Sequence, residues 1–394
     1  MPGRREPGRR EPGRAGALGA GRVGSAAVGG AWLGACVALS ACGARPAVAP
    51  AARDRIAIVA SERGSEGVRL VSIDEHGDRQ FALVEPASAV ARDTNPAVSP
   101  DGKWIVFASS RGRAFDQTSL WIVAAGVAMP PRRLTDGAAI DAHPAWAPDG
   151  GAIVFASTRD GGDFDLWRLA MHGGSPGELV QLTHGAGHEV TPTVAADGAV
   201  VYAAVTASEQ RHDIETHLEE RAPDGTIRAL TRGPADSSPA LSPDGERLVF
   251  ARPQLHDGKP DSELWVLVRK TGAIAPLVDL PLTDEGGPVW SRDGRFVFAT
   301  SVLRGAQEDG GKVVFSSIIH VDTREAPPRA RLLEDRVGAI VRLTPAVAAA
   351  PLDAAALHAN PEYLPELARI MSEIIEQQRA PDAAPQAARP RPKT

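Results

Sequence analysis

His143-Pro144-Ala145-Trp146-Ala147-Pro148-Asp149-Gly150 is the stretch that decides the fold, because the chain uses it repeatedly. Asn95-Pro96-Ala97-Val98-Ser99-Pro100-Asp101-Gly102 precedes it. Thr191-Pro192-Thr193-Val194-Ala195-Ala196-Asp197-Gly198, Ser238-Pro239-Ala240-Leu241-Ser242-Pro243-Asp244-Gly245 and Gly287-Pro288-Val289-Trp290-Ser291-Arg292-Asp293-Gly294 follow it. The leading prolines, Pro96, Pro144, Pro192, Pro239 and Pro288, lie 48, 48, 47 and 49 residues apart, a spacing that marks a repeat architecture. Ser-Pro-Asp-Gly is turn chemistry: Pro presets φ, Asp tolerates the bridge region, and Gly accepts positive φ.

Each copy has the same sequel. An apolar run follows, such as Trp104-Ile105-Val106-Phe107-Ala108, Ile153-Val154-Phe155-Ala156 or Leu248-Val249-Phe250-Ala251. A polar loop comes next, then a Leu-Trp pair (Leu120-Trp121, Leu166-Trp167, Leu264-Trp265). A Leu-Thr ending closes the unit at Leu134-Thr135, Leu182-Thr183 and Leu230-Thr231. Short β-rich runs between turn signals give four strands per unit. Four-stranded units repeated radially make a β-propeller, in which neighbouring blades cover both faces of each sheet.

The ends set the blade count. Arg55-Ile56-Ala57-Ile58-Val59-Ala60 reads as a second strand with no first, and Leu343-Thr344-Pro345-Ala346-Val347 as a first strand with no sequel. Splicing the two completes a blade and removes the open sheet edge. The expectation is an all-β, six-bladed propeller over residues 54–351. These units resemble the WD40-like (PD40) repeats of TolB-type propellers. The same unit occurs in the propellers of dipeptidyl peptidase and prolyl oligopeptidase relatives, so the resemblance implies the architecture without choosing between a binding module and part of an enzyme.

The first fifty residues read as an address. Arg4, Arg5, Arg9, Arg10, Arg14 and Arg22 precede the uncharged run 23–39, the order of a secretory signal. Leu39-Ser40-Ala41-Cys42 resembles the bacterial lipobox, which implies cleavage before Cys42 and lipidation of that residue. The alternative, an uncleaved anchor, would need a longer and less Gly- and Ala-rich stretch. Gly43 in place of Asp after the Cys implies the outer membrane, facing the periplasm. Residues 43–53 read as an Ala/Pro tether that reaches at most ~35–40 Å when extended. Cys36 and Cys42 are the only cysteines, so nothing beyond residue 50 can form a disulfide or thiolate metal site.

After the propeller, Asn360, Pro361 and Glu362 form a helix start. Leu364, Leu367, Ile370, Met371, Ile374 and Ile375 then fall on one face, and this face is expected to pack on the propeller. The predicted C-terminal helical segment spans 352–380, and the Pro/Ala-rich 381–394 reads as a disordered tail.

Little in the sequence points to catalysis. A net charge of −6 argues against nucleic acid, which needs a basic patch. The one Gly-x-Ser-x-Gly match, Gly173-Gly174-Ser175-Pro176-Gly177, falls between two strands and contains Pro, unlike a nucleophile elbow. Asp160, Asp163 and Asp165 share a loop and are candidate Ca2+ ligands, although their spacing is not that of an EF-hand and the bland reading is a solvated hairpin. Otherwise no cofactor is expected.

One pattern stands out. Three residues before each repeat proline lies an acid, Asp93, Asp141, Glu189, Asp236 or Glu285, with Arg342 in the sixth unit. The start of the innermost strand lies at one mouth of a propeller channel, so a ring of acids is expected there. Either each acid ties down nearby backbone, or the ring, with Asn95, His143, Thr191, Ser238 and Thr344, receives a partner's basic or polar segment or a cation. The resulting expectation is a monomeric envelope lipoprotein, anchored by lipid, that serves as a non-catalytic scaffold for an envelope protein partner. The alternative is a carbohydrate- or peptide-processing enzyme, a lyase or hydrolase relative, that uses the channel.

Overall fold

The computed structural model describes residues 58–347, apart from 65–66, 75–78, 85–90, 115, 126–129, 209–212, 234, 257–258, 279, 281–282, 304–315 and 334–340. Cys42, the expected leader and tether, and the expected C-terminal helix lie outside these residues. The described residues contain no helix, and therefore none long and apolar enough to cross a membrane.

The strands form six antiparallel blades of four. The innermost strands are Val341–Val347 in blade 1, then Asp93–Val98, Asp141–Trp146, His188–Val194, Ser237–Leu241 and Thr283–Trp290 in blades 2 to 6. The second strands are Ile58–Gly64, Trp104–Ser109, Ala152–Ser157, Val200–Ser208, Arg247–His256 and Phe296–Leu303. The third are Gly67–Ile73, Ser119–Ala124, Asp165–His172, Asp213–Arg221, Lys259–Val268 and Ser316–Asp322. A short outer strand completes each blade. Blade 1 is the expected splice: Val347 pairs with Ile58 and Pro345 with Ala60, antiparallel. A single parallel pair, Ser316 with Val341, also joins blade 6 to blade 1.

Six apolar layers hold the ring, each between two neighbouring blades. The second strands explain the layering. Side chains alternate across a strand, so Ile105 and Phe107 pack with Val59 and Leu70 of blade 1, while Val106 and Ala108 pack with Ile153 and Phe155 of blade 3. A strand buried on both faces reads as a near-continuous apolar run, as residues 105–108 and 152–156 do.

The repeat motifs have specific jobs. In Ser99-Pro100-Asp101-Gly102 the Gly102 N–H donates to the Ser99 carbonyl at 2.9 Å, and Gly102 takes φ 72°. The Ser99 hydroxyl donates to Asp101 at 2.7 Å and accepts from the Trp104 N–H at 2.9 Å. The Leu-Thr ending is a clip: the Leu182 N–H donates to the Leu166 carbonyl and the Thr183 hydroxyl accepts from the Leu166 N–H, both at 2.8 Å. Trp146 and Trp290 reach back one blade and donate from the indole to the carbonyls of Ala97 and Ala240, at 3.1 and 3.0 Å.

Candidate functional site

Every innermost strand carries one extra residue relative to its neighbour. Register runs Thr94 to Ala108, then Ala97 to Val106, and the same slip recurs in all six blades. In blades 2 to 6 the bulge falls on the residue before the repeat proline and on the proline itself, which has no N–H to lose from the ladder, whereas in blade 1 Pro345 pairs with Ala60 and the bulge falls on residues 343–344. Asn95, His143, Thr191 and Ser238 take φ of 49, 51, 51 and 51°, and Gly287 takes 56°. Positive φ is uncommon outside glycine, and for a β-branched residue such as Thr191 it is an outlier. Such backbone cost recurs where a structure aims side chains at a functional site.

These side chains are aimed at the propeller axis. They line a cavity of about 540 Å³ together with the repeat prolines of all six blades, Pro345 supplying the sixth. Beyond the prolines lies a second cavity of about 710 Å³ at the other ends of the innermost strands. The channel is thus two chambers sharing a waist of prolines. The first carries the polar side chains of Asn95, His143, Thr191, Ser238, Asp284 and Glu285 on its wall, among surface that is mostly apolar. Three of its wall atoms are buried without a hydrogen-bond partner: His143 Nδ1, Thr191 Oγ1 and Glu285 Oε2. Burial pushes the His143 imidazole down to about 4, so it is neutral at pH 7.

The structure places the acid ring differently from the sequence expectation. Asp93, Asp141 and Asp236 are fully buried behind the chamber wall. Arg111 grips Asp93 through Nε and Nη2, and the Ser109 hydroxyl donates to it at 2.6 Å. Burial, the larger effect, lifts the Asp93 pKa against the pull of Arg111. Arg159 Nη2 donates to Asp141 at 2.7 Å, beside the Ser157 hydroxyl at 2.6 Å. Arg252 binds Asp236 through two bonds of 2.7 and 2.9 Å. The Arg159 and Arg252 guanidinium groups also sit over aromatic rings, Phe155 and Trp167 for one and Phe250 and Trp265 for the other, 5.0 to 5.3 Å from the centroids. The acid, the arginine, the Phe of the second strand and the Trp of Leu-Trp therefore form one repeated clasp in blades 3 and 5. Blade 2 carries the same residue set in Asp93, Arg111, Phe107 and Trp121.

Blades 4 and 6 depart from it. Leu218-Glu219 and Ile318-Ile319 replace Leu-Trp, and Thr206 and Leu303 stand where blades 2 and 3 have their arginine. Glu189 accepts from the Thr183 hydroxyl at 3.1 Å, and desolvation lifts it to about 7, with Asp165 adding to the rise. Glu285 accepts at Oε1 from Thr283 and Ser301, at 2.6 and 3.0 Å, and desolvation lifts it to about 8. Glu285 is the one ring acid on the chamber wall, and the cavity extends past it to Thr300, Val302 and Ser316. In blade 1 the backbone sets Arg342 opposite Glu62, the reverse order of charges; the side chains of Arg342 and Thr344 lie outside the described residues.

Other candidates fall elsewhere. Asp160 and Asp163 are exposed, Asp160 accepting from Gln181 at 2.9 Å, whereas Asp165 is buried. Among the described residues no three His, Cys, Asp or Glu side chains are grouped to hold a metal ion. Gly173 and Gly174 form the hairpin turn leading into the strand Ser175–Gln181, so Ser175 sits on no strand-to-helix elbow. Gly174 is required there, since a Cβ would lie 2.5 Å from the Trp104 ring.

Residues 113–293 match the family model PD40, the TolB beta propeller domain. No curated protein is significantly similar to the chain. Among solved structures, TolB from Acinetobacter baumannii is 17% identical with a TM-score of 0.56, over 74% of this chain and 66% of that one. The chain thus spans just under two thirds of that relative. A putative TolB from Agrobacterium tumefaciens is 16% identical, TM-score 0.52, over 71% of this chain and 89% of that one. Hydrazine synthase from Kuenenia stuttgartiensis is 14% identical, TM-score 0.55, over 75% of this chain and 48% of that one. Identities this low show a shared fold alone.

Proposed function

We propose an envelope lipoprotein, anchored through Cys42, that binds a partner protein at the first chamber of its propeller and has no catalytic role. The observation that carries this reading is the convergence of four non-glycine, left-handed side chains on one chamber. Three wall atoms there, on His143, Thr191 and Glu285, are buried without a protein partner. Buried polar groups are ordinarily satisfied, so such a wall suits a segment that brings its own donors and acceptors. Asp284 and Glu285 favour a basic or amide-rich segment. His143 Nδ1 has no carboxylate orienting it, as a general base in a nucleophilic pair would require. The lipobox-like Leu39-Ser40-Ala41-Cys42 supports the anchor.

The test is cross-linking in cells with the full-length tagged protein, alongside His143→Arg and Ser238→Arg. The expected result is a reproducible envelope partner that both substitutions lose while the propeller's melting midpoint holds. A partner retained by both variants, or no reproducible partner, overturns the reading. Cys42→Ser is expected to move the protein from the membrane to the soluble fraction.

A further inference from the structure

Blade 4 keeps the ring acid of the clasp and replaces everything around it. In blade 3 the ladder sets Asp141 opposite Ser157 and Phe155 opposite Trp167, and Arg159 fills the space between acid and rings. The same register in blade 4 sets Glu189 opposite Ala204 and Tyr202 opposite Glu219. A second carboxylate therefore stands where the Trp ring would be. Thr206, exposed, stands in place of the arginine. Blade 6 has Ala299 and Ile319 at the aromatic pair, and so no second carboxylate.

The cation of the clasp has no counterpart here. Glu219 accepts from the Tyr202 hydroxyl at 2.8 Å and meets His217 Nε2 at 3.1 Å, and Glu189 accepts from the Thr183 hydroxyl. Among the described residues no Arg or Lys bonds to either glutamate. Arg221, two residues past Glu219, donates instead to the carbonyls of Leu182 and Ala222. Asp165 of blade 3 completes the cluster. It lies within hydrogen-bonding reach of Glu189, is 6% exposed, and has Oδ1 buried without a partner. Carboxylates desolvated without a cation are costly. Burial, and then the neighbouring carboxylates of Asp165 and Glu219, push Glu189 up to about 7. Glu189 and Glu219 are only half-buried, and the exposed Gly185 brings no side chain over Glu189 Oε1, where a Cβ would lie at 3.1 Å.

We propose that the seam between blades 3 and 4 accepts an arginine side chain presented by a partner protein, with its guanidinium set between Glu189 and Glu219 as blades 3 and 5 set their own. A planar guanidinium fork can bond two carboxylates at once, which a compact ammonium does less well. Among the described residues no three side chains are grouped to hold a metal ion instead. Neither glutamate lines the first chamber, so the two sites are separate.

Tyr202 and Tyr363 are the only tyrosines, so full-length protein made with 3-fluorotyrosine has two fluorine resonances, assigned with Tyr363→Phe. The probes are N-acetyl-Gly-Arg-Gly amide, its lysine and citrulline counterparts, and free L-arginine. The expected result is that the arginine peptide shifts the Tyr202 resonance saturably and leaves that of Tyr363 in place. The lysine and citrulline peptides should bind roughly tenfold more weakly or worse, as should the arginine peptide to Glu189→Gln/Glu219→Gln. Thr206→Arg supplies the guanidinium from within and should abolish binding with the melting midpoint held or raised. The absence of a saturable shift, equal binding of the lysine or citrulline peptide, tighter binding of free arginine than of the peptide, or undiminished binding to Thr206→Arg would each overturn the proposal. A gain in affinity in Arg211→Ala would show the place to be taken by the chain's own arginine, and would overturn it as well.

Discussion

Replacing Glu285 by glutamine tests the most unusual group on the chamber wall. Its Oε1 accepts from Thr283 and Ser301, and a glutamine carbonyl can keep both bonds while its amide occupies the place of the unpartnered Oε2. The carboxyl titrates near 8 when folded and near 4.5 when unfolded, because burial disfavours its charge. Below pH 4.5 both states hold the proton, and the stability tied to it is fully present. As the pH rises from 4.5 the unfolded chain ionises first, so that stability is lost progressively, and the loss is complete once the pH passes about 8. At ~1.36 kcal/mol per unit the shift sets an upper bound of roughly 4–5 kcal/mol. Solvent relaxation at a chamber wall reduces this to an expected ~2–3 kcal/mol. The assay is urea unfolding of wild type and Glu285→Gln at pH 5 and pH 8.5. The two should be nearly equal at pH 5, and the variant more stable at pH 8.5 by ~2–3 kcal/mol. Glu189 titrates identically in both proteins and cancels from the difference. A stability difference that does not change with pH would refute the reasoning.

Further outcomes follow from the clasps, the bulges and the blade seams. Arg159→Ala leaves the Asp141 carboxylate buried and unpaired, and should cost ~3–5 kcal/mol, read as a Tm lower by roughly 6–15 °C. Thr191→Gly should leave Tm unchanged or raise it, since Gly287 already fills the equivalent bulge at φ 56°; elsewhere in a strand the same change costs ~0.5–1 kcal/mol. Trp290→Phe removes the indole donor to Ala240 and weakens the stacking of Arg247, 4.5 Å above the ring; urea unfolding should show a loss of ~1–2 kcal/mol.

The ring was legible because its physics is periodic. Ser-Pro-Asp-Gly fixes the hairpin between first and second strands, and the apolar run after it can only be a strand covered on both faces. The splice in blade 1 was legible too, since a first strand at 343–347 and a second strand at 55–60 each lack the other. The bulge was not. A residue before proline is ordinarily pushed to extended conformations, and nothing local announces that Asn95, His143, Thr191 and Ser238 turn left-handed to face the axis. The acids were found by position, but their fate depended on groups some 16 to 18 residues further on. Phe107-Ala108-Ser109-Ser110-Arg111 and Phe155-Ala156-Ser157-Thr158-Arg159 recur with the acids, and with them Trp121 and Trp167. Reading the Arg and the Trp together with the acid would have identified the clasp.

The clasp also gives meaning to its absences. Where Arg and Trp accompany the acid, in blades 2, 3 and 5, the carboxylate is locked behind the wall and no partner can use it. Blades 4 and 6 lack both at once, as expected if the guanidinium needs the aromatic ring and the ring needs the guanidinium. Glu189 accepts from the Thr183 hydroxyl and Glu285 from the Thr283 and Ser301 hydroxyls, and both are pushed toward neutral pH. A ring of six equal acids would mark a structural device repeated six times. Three locked acids, two held without an arginine clasp and, in blade 1, an arginine position set opposite Glu62 in the ladder instead break the symmetry of the channel. Of the unlocked acids Glu285 reaches the wall, and there the chamber widens into blade 6 toward Thr300 and Ser316. If the first chamber receives a partner, that side is where its specificity should reside. Substitutions at Asp284, Glu285 and Thr300 should therefore weaken binding more than the same changes made to Asn95 or Ser238.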